Sequence, residues 1–417
     1  MIKMVRSDRP LVLVVAALML YGLLILYSAG QTDIPTAAAH VWERQIIWLI
    51  IGCVLGAMVF RMSPRFLEWT APVAYGLGLL VLVSLVILGS GAGTAASTKS
   101  WLTIGGVRLG QPSELAKLTT VLMLARYLSG LRVPPQNMRE LIIPVLYAAV
   151  PAGLVMLQPD LGSAIVFCGI LFFMLYWSGV RMRLLIMLAS PIVSLILAFS
   201  DPLWGLWLLT ISVLLWRWRP WVWEGLAVVA ANLATGIVAR PLWEHLHDYQ
   251  QNRLISFLNP EVDPRATGWH IIQSKIAIGS GGFLGKGFTE GSQKRLAFLP
   301  AQHTDFIFSV VGEELGFVGI AVALGLFLLL MLTLIRIARR SPDPFGSMMV
   351  FGIAGILFSH IFENVGMTAN VMPITGIPLP FFSYGGSFLL TCLICIGLCL
   401  RVAKEGRELG YGDNYGA

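Results

Sequence analysis

The chain has 417 residues, of which 57% are hydrophobic and 12% charged, with a formal net charge of +7 and a mean hydropathy of +0.78. Soluble domains carry about twice that charged fraction, and apolar runs of roughly 17 to 25 residues, the length a bilayer core requires, recur along nearly the whole chain. A soluble enzyme is excluded, and so is a disulfide framework, because Cys53, Cys168, Cys392, Cys395 and Cys399 all lie inside apolar runs.

The first apolar run ends at Ala29. It is longer than the roughly 7 to 15 residues of a cleavable signal's apolar region and reads as an uncleaved span. Eleven more spans follow, near 45–60, 68–88, 114–130, 140–157, 161–179, 184–200, 202–216, 221–239, 305–335, 345–370 and 383–403. With the N-terminus in the cytoplasm, every inner connection is basic, from Arg61 and Arg65 through Arg181 and Arg183 to Arg401 and Lys404. The outer connections near 30–44, 158–160, 201 and 371–382 carry one Arg or Lys between them, which is the positive-inside pattern. Both termini are therefore expected in the cytoplasm. The spans at 202–239 form a short tryptophan-rich pair. Two added helices preserve the orientation of everything downstream.

Taken in chain order, the chemistry-bearing residues begin with Arg44, a cation at the outer mouth of the second span. It is either a snorkelling anchor or a phosphate ligand, for which its planar fork is suited. In Gln111-Pro-Ser-Glu-Leu-Ala-Lys117, Glu114 and Lys117 share one face of a helix start. A charge so far inside a membrane helix is costly and marks function by default. Asp160, in Gln158-Pro-Asp-Leu-Gly162, is placed to cap the next helix.

The 58 residues from Asp248 to Asp305 are persistently polar, and loops of that length are usually functional or disordered. They hold Asp263 within an acidic turn, then a segment around Lys275 with the spacing of a short lipid-surface helix. Gly279–Gly287 resembles a phosphate loop but lacks the Walker spacing; its amides and Lys286 still suit an anion. His360 and Glu363 share a face of the eleventh span, with no role assigned. Cys392, Cys395 and Cys399 read as a packing face rather than a metal site. Cations beside an isolated carboxylate suit a pyrophosphate-bearing substrate with a general base.

QPSELAK, QPDLGSA, NPEVDP, GWHIIQSKIAIGSGG, LPAQHTDFIFSVVGEELGFVG and GIPLPFFSYGGS, in this order over nearly the whole chain, resemble the SEDS family (shape, elongation, division and sporulation), its elongation branch more than its division branch. The resemblance implies an all-α polytopic membrane protein, a bundle of ten family helices with a two-helix insertion and a long extracytoplasmic loop before the tenth of the twelve spans. It divides the single transmembrane domain into an inserted pair at 202–239, an extracytoplasmic loop at 240–304 and a cytoplasmic tail at 405–417. It implies a peptidoglycan glycosyltransferase that polymerises lipid II at the outer face of the bacterial inner membrane during elongation. Its partners would be a class B penicillin-binding protein and other elongation-complex membrane proteins. Asp263 would be the catalytic base, with Arg44, Glu114, Lys117, Asp160 and Lys275 binding substrate. The resemblance fixes no cofactor; a divalent cation, Mg2+ or Mn2+, is the candidate beside the pyrophosphate. A lipid II flippase and a non-catalytic scaffold for the penicillin-binding protein are the alternatives. The first lacks the internal repeat common in transporters, and the second leaves the charged outer residues unexplained.

Overall fold

The computed structural model describes residues 8–34, 36, 38–88, 102–104, 107–246, 248–259, 267–299 and 301–408. Asp263 lies outside the described residues. The apolar runs form α1 (Arg9–Ala29), α2 (Val41–Val59), α3 (Pro64–Leu88), α4 (Pro112–Ser129), α5 (Ile142–Met156), α6 (Leu161–Trp177), α7 (Met182–Leu197), α8 (Asp201–Trp218) and α9 (Val222–His245). After the long polar stretch come α13 (Ile307–Arg339), α14 (Pro344–Thr368) and α15 (Gly386–Glu408). Seven of these, α1, α2, α3, α9, α13, α14 and α15, are individually long and apolar enough to cross a membrane, and α5, α6 and α7 are shorter apolar helices. An antiparallel hairpin, β1 (Leu102–Ile104) and β2 (Val107–Gly110), pairs Ile104 with Val107 just before α4.

The bundle is built around α14, which packs on α4, α6, α13 and α15. The first helices close on the last: α1 lies along α13, and α2 along α15. At the second crossing a Cβ on Gly397 would run into the Gly56 carbonyl, so only glycine allows the two backbones to come this close. The α8–α9 pair docks on α7 through the fully buried Asn232. Its amide nitrogen donates to Ser190 Oγ, its amide oxygen accepts from Trp207, and its backbone carbonyl accepts from Ser194 Oγ. In lipid, where water cannot satisfy such groups, this closed network gives the apolar pair a single register.

The long polar stretch is folded rather than loose. It forms α10 (Asp248–Leu258), α11 (Thr267–Ser280) and the single turn α12 (Ser292–Arg295). Helix α11 is not the lipid-surface helix its spacing suggests. Ile271 and Ala277 are buried with Leu299, Phe306 and Met367 in a small core of their own, and Ser274 Oγ bridges Ser309 Oγ and the Thr368 carbonyl at 2.7 Å each. Apolar residues on an amphipathic helix bury equally well in lipid or protein; here α13 and α14 supply the surface.

Nor does the glycine-rich segment cradle an anion. Helix α13 breaks at Gly316, whose φ of +61° and ψ of −156° only glycine adopts readily. The break leaves backbone groups without helical partners, and the glycine segment supplies them. Lys286 and Gly287 amides donate to the Glu313 and Glu314 carbonyls at 3.0 Å, while Phe317 N–H donates to Gly282 O at 2.9 Å. Lys286 Nζ is held by Glu313 Oε1 at 2.8 Å. One turn away, the fully buried Lys294 pairs with Glu314 and donates to the Ser28 carbonyl, stitching α12 to α13 and the end of α1. These amides and ammonium groups are already used.

Candidate active site

A second buried cluster lies where α4 and α6 begin, and it differs from the first in being incompletely satisfied. Pro112 starts α4, and Glu114 in its first turn faces the helix N-terminus, a favourable place for a carboxylate. Lys117, one turn further in and fully buried, donates from Nζ to Glu114 Oε1 at 2.9 Å and to His360 Nε2 on α14 at 2.8 Å. His360 Nδ1 lies 3.2 Å from the Pro378 carbonyl in the turn before α15. Glu363, one turn along α14, is 1% exposed, and Lys117 and Asp160 both act on its carboxylate electrostatically. Glu114 Oε2 and both Glu363 oxygens have no hydrogen-bond partner within 3.5 Å among the described residues, the Thr375 hydroxyl lying beside Glu363. Buried acceptors are normally paired, so three orphans in one place point to a ligand or bound water.

Asp160 closes the cluster from the side. Its Oδ1 accepts the Ser163 amide at 3.0 Å as the α6 N-cap, and its Oδ2 accepts Gln111 Nε2 at 2.8 Å. Gln111 is also where the hairpin hands over to α4, and its amide donates to Ser387 Oγ at the start of α15. Glu114, Lys117 and Asp160 are thus brought together from two helices. His360 and Glu363 join them from a third and were not assigned by sequence. The available signal was a polar i, i+3 pair in an apolar helix, expensive in lipid without a partner.

Arg44 and Lys275 stand apart. Both are exposed, Arg44 in the first turn of α2 and Lys275 on α11. Among the described residues neither forms a hydrogen bond or ion pair. The inner cluster holds three carboxyl groups, Glu114, Asp160 and Glu363, and one ammonium, so its surplus is of acceptors. It suits hydroxyl and amide donors better than phosphate. The free cations sit outside it. Among the described residues no group of three histidine, cysteine or carboxylate side chains is arranged to hold a metal ion.

Above the cluster, the turns at 301–306 and 379–384 are locked together. Ser383 Oγ donates to the Thr304 carbonyl at 2.6 Å, Tyr384 N–H to His303 O at 2.8 Å, and Asn364 Nδ2 to Asp305 O at 2.9 Å. Burial lowers the His303 and His270 imidazoles from their ordinary 6.5, with Arg253 adding to the effect at His270. The folded state thus resists protonating them. Their contribution is complete above 6.5 and is lost as pH falls from there toward the folded values. Asp305, raised by burial above its ordinary 3.8, acts in the opposite sense at lower pH. We expect the melting temperature in detergent to fall between about pH 7.5 and 5.5, and most of that fall to vanish in a His270→Phe/His303→Phe variant. An undiminished pH dependence in the variant counts against these two rings as its source.

A family model described as cell cycle protein, FTSW_RODA_SPOVE, matches residues 8–210 and 203–408. The peptidoglycan glycosyltransferase MrdB of Escherichia coli strain K12 is 35% identical over 405 residues, which is 97% of this chain and 95% of that protein. The peptidoglycan glycosyltransferase RodA of Treponema pallidum strain Nichols is 34% identical over 428 residues, covering 95% and 97%. Among solved structures, a chain from work on the coordination of polymerization and crosslinking by a peptidoglycan synthase complex matches with a TM-score of 0.69 at 31% identity, covering 96% and 98%. The rod shape determining protein RodA of Thermus thermophilus matches with a TM-score of 0.61 at 28% identity, covering 95% and 97%.

Proposed function

The chain belongs to the FtsW, RodA and SpoVE family of cell cycle proteins and is a peptidoglycan glycosyltransferase, and we propose that it polymerises lipid II at the outer face of the cytoplasmic membrane during cell elongation. It is an integral membrane protein; the inner-membrane location and cytoplasmic termini belong to the proposal and rest on the alternation of cations along the chain. Asp263 takes the proton of the acceptor sugar hydroxyl as that oxygen bonds to the donor's anomeric carbon. The bond from that carbon to the lipid pyrophosphate breaks with inversion, and the pyrophosphate leaves with the electron pair.

The observation that carries this reading is the buried cluster of Glu114, Lys117, Asp160, His360 and Glu363, with acceptors left unpaired among the described residues. The acceptor-rich cluster is assigned the sugar hydroxyls and amides. Arg44 and Lys275, exposed and uncommitted, are assigned the pyrophosphate. We read 240–304 as the outer wall of the site, 405–417 as a cytoplasmic tail, and the 202–239 pair as an appendage. A penicillin-binding protein of class B fits as the partner that cross-links the strands.

The test supplies purified lipid II to the full-length protein with and without such a partner. Glycan strands from the wild-type protein are expected. Lipid II crossing a liposome bilayer with no polymer formed would replace the transferase by a flippase.

A further inference from the structure

His360 is the member of the cluster whose hydrogen placement the geometry decides. Lys117 has only hydrogens to offer, so His360 Nε2, 2.8 Å from Nζ, must accept. The ring proton then sits on Nδ1, 3.2 Å from the Pro378 carbonyl, to which it donates. A doubly protonated ring would aim a second N–H at an ammonium group, so the ring is neutral. It is also immobile: His360 is fully buried and stacked on Phe388, with centroids 4.5 Å apart and planes 23° from parallel. Lys117 has three N–H groups, and Glu114 Oε1 and His360 Nε2 take two. The third has no hydrogen-bond partner among the described residues, while Lys117 also acts electrostatically on Glu363.

We infer that His360 is a positioning residue of the transferase: a neutral, Nδ1-protonated acceptor that fixes the Lys117 ammonium so that its third N–H meets an oxygen of the bound sugar substrate. This rests on the glycosyltransferase reading. An ordinary buried histidine would need only its two hydrogen bonds satisfied, from any direction. The ring here instead fixes a charge on another helix, and that charge keeps a donor in reserve. The Pro378 carbonyl selects the tautomer, so the turn before α15 sets the direction of a lysine on α4.

His360→Gln puts an amide oxygen near the place of Nε2, whereas His360→Leu leaves no acceptor. With lipid II and the full-length protein bound to its partner, we expect His360→Leu to lose roughly 10- to 100-fold in turnover and His360→Gln to recover most of it. Both variants are expected to keep the wild-type yield of partner complex. Wild-type turnover in His360→Leu overturns the inference, as does a His360→Gln variant no more active than the leucine in equally stable protein. The nitrogen-15 spectrum of histidine-labelled full chain, with His360→Gln as the difference control, is expected to show a neutral ring protonated at Nδ1. A ring protonated at Nε2 overturns the inference whatever the activity. Absence of polymer from the wild-type protein would instead sink the transferase reading and leave the spectrum to decide the geometry.

Discussion

Asp263→Asn is expected to abolish strand synthesis, with turnover falling by about 10^2- to 10^4-fold, the usual worth of a positioned general base. Asparagine keeps the size and hydrogen-bonding capacity of the side chain and removes only its ability to take a proton. The protein should still purify with its partner, because the substitution preserves the size and shape of the side chain. The segment after it is held independently, by Ser274 between α13 and α14 and by Trp269 Nε1 donating to the Phe298 carbonyl. Asp263→Glu, which restores the base at the wrong reach, should recover a small part of the rate. Strand length on a gel and release of lipid pyrophosphate both report the reaction. Full polymer from Asp263→Asn would remove the assigned base.

Lys117→Met should do two separable things. It leaves Glu114, 4% exposed, as a buried carboxylate without its cation, and breaking such a pair costs about 3–5 kcal/mol. It also removes the donor that the site holds in reserve. Lys117→Met/Glu114→Leu replaces both charges by apolar groups, which for a buried pair is often neutral or stabilising. The double variant is therefore expected to regain most of the lost melting temperature and none of the lost turnover. Stability and activity would then part company, as they should if the pair is retained for chemistry. Two results would sink this account: Lys117→Met as stable as wild type, or a double variant that polymerises lipid II.

The helices were legible because lipid enforces a simple rule. Every spanning backbone must satisfy itself, so hydropathy and the alternation from Arg61 to Arg401 mark them. Glu114 and Lys117 were legible as an i, i+3 pair of opposite charge too deep to be ornamental. His360 and Glu363 were half legible, since their cost could be read but not the helix that meets them. The break in α13 was not legible. Glycines are common in membrane helices, and nothing around Gly316 distinguishes it from Gly319, which continues the helix. The same holds for Gly281–Gly287, whose composition suits an anion as well as a broken helix. Only the tertiary partner separates the two, and it lies about thirty residues downstream.

The pairing of first helices with last has a consequence for biogenesis. Helices α1 and α2 enter the bilayer hundreds of residues before α13 and α15, on which they pack. Until then their interior faces must be tolerable to lipid, and they are: α1 has a mean hydropathy of 2.5 and α2 of 1.5. The Ser28–Glu314 contact, 286 residues apart, can form only once α13 has left the ribosome. Assembly is therefore governed by the end of the chain. A nascent chain halted before α15 has an unclosed bundle, with the glycine face of α2 still turned to lipid.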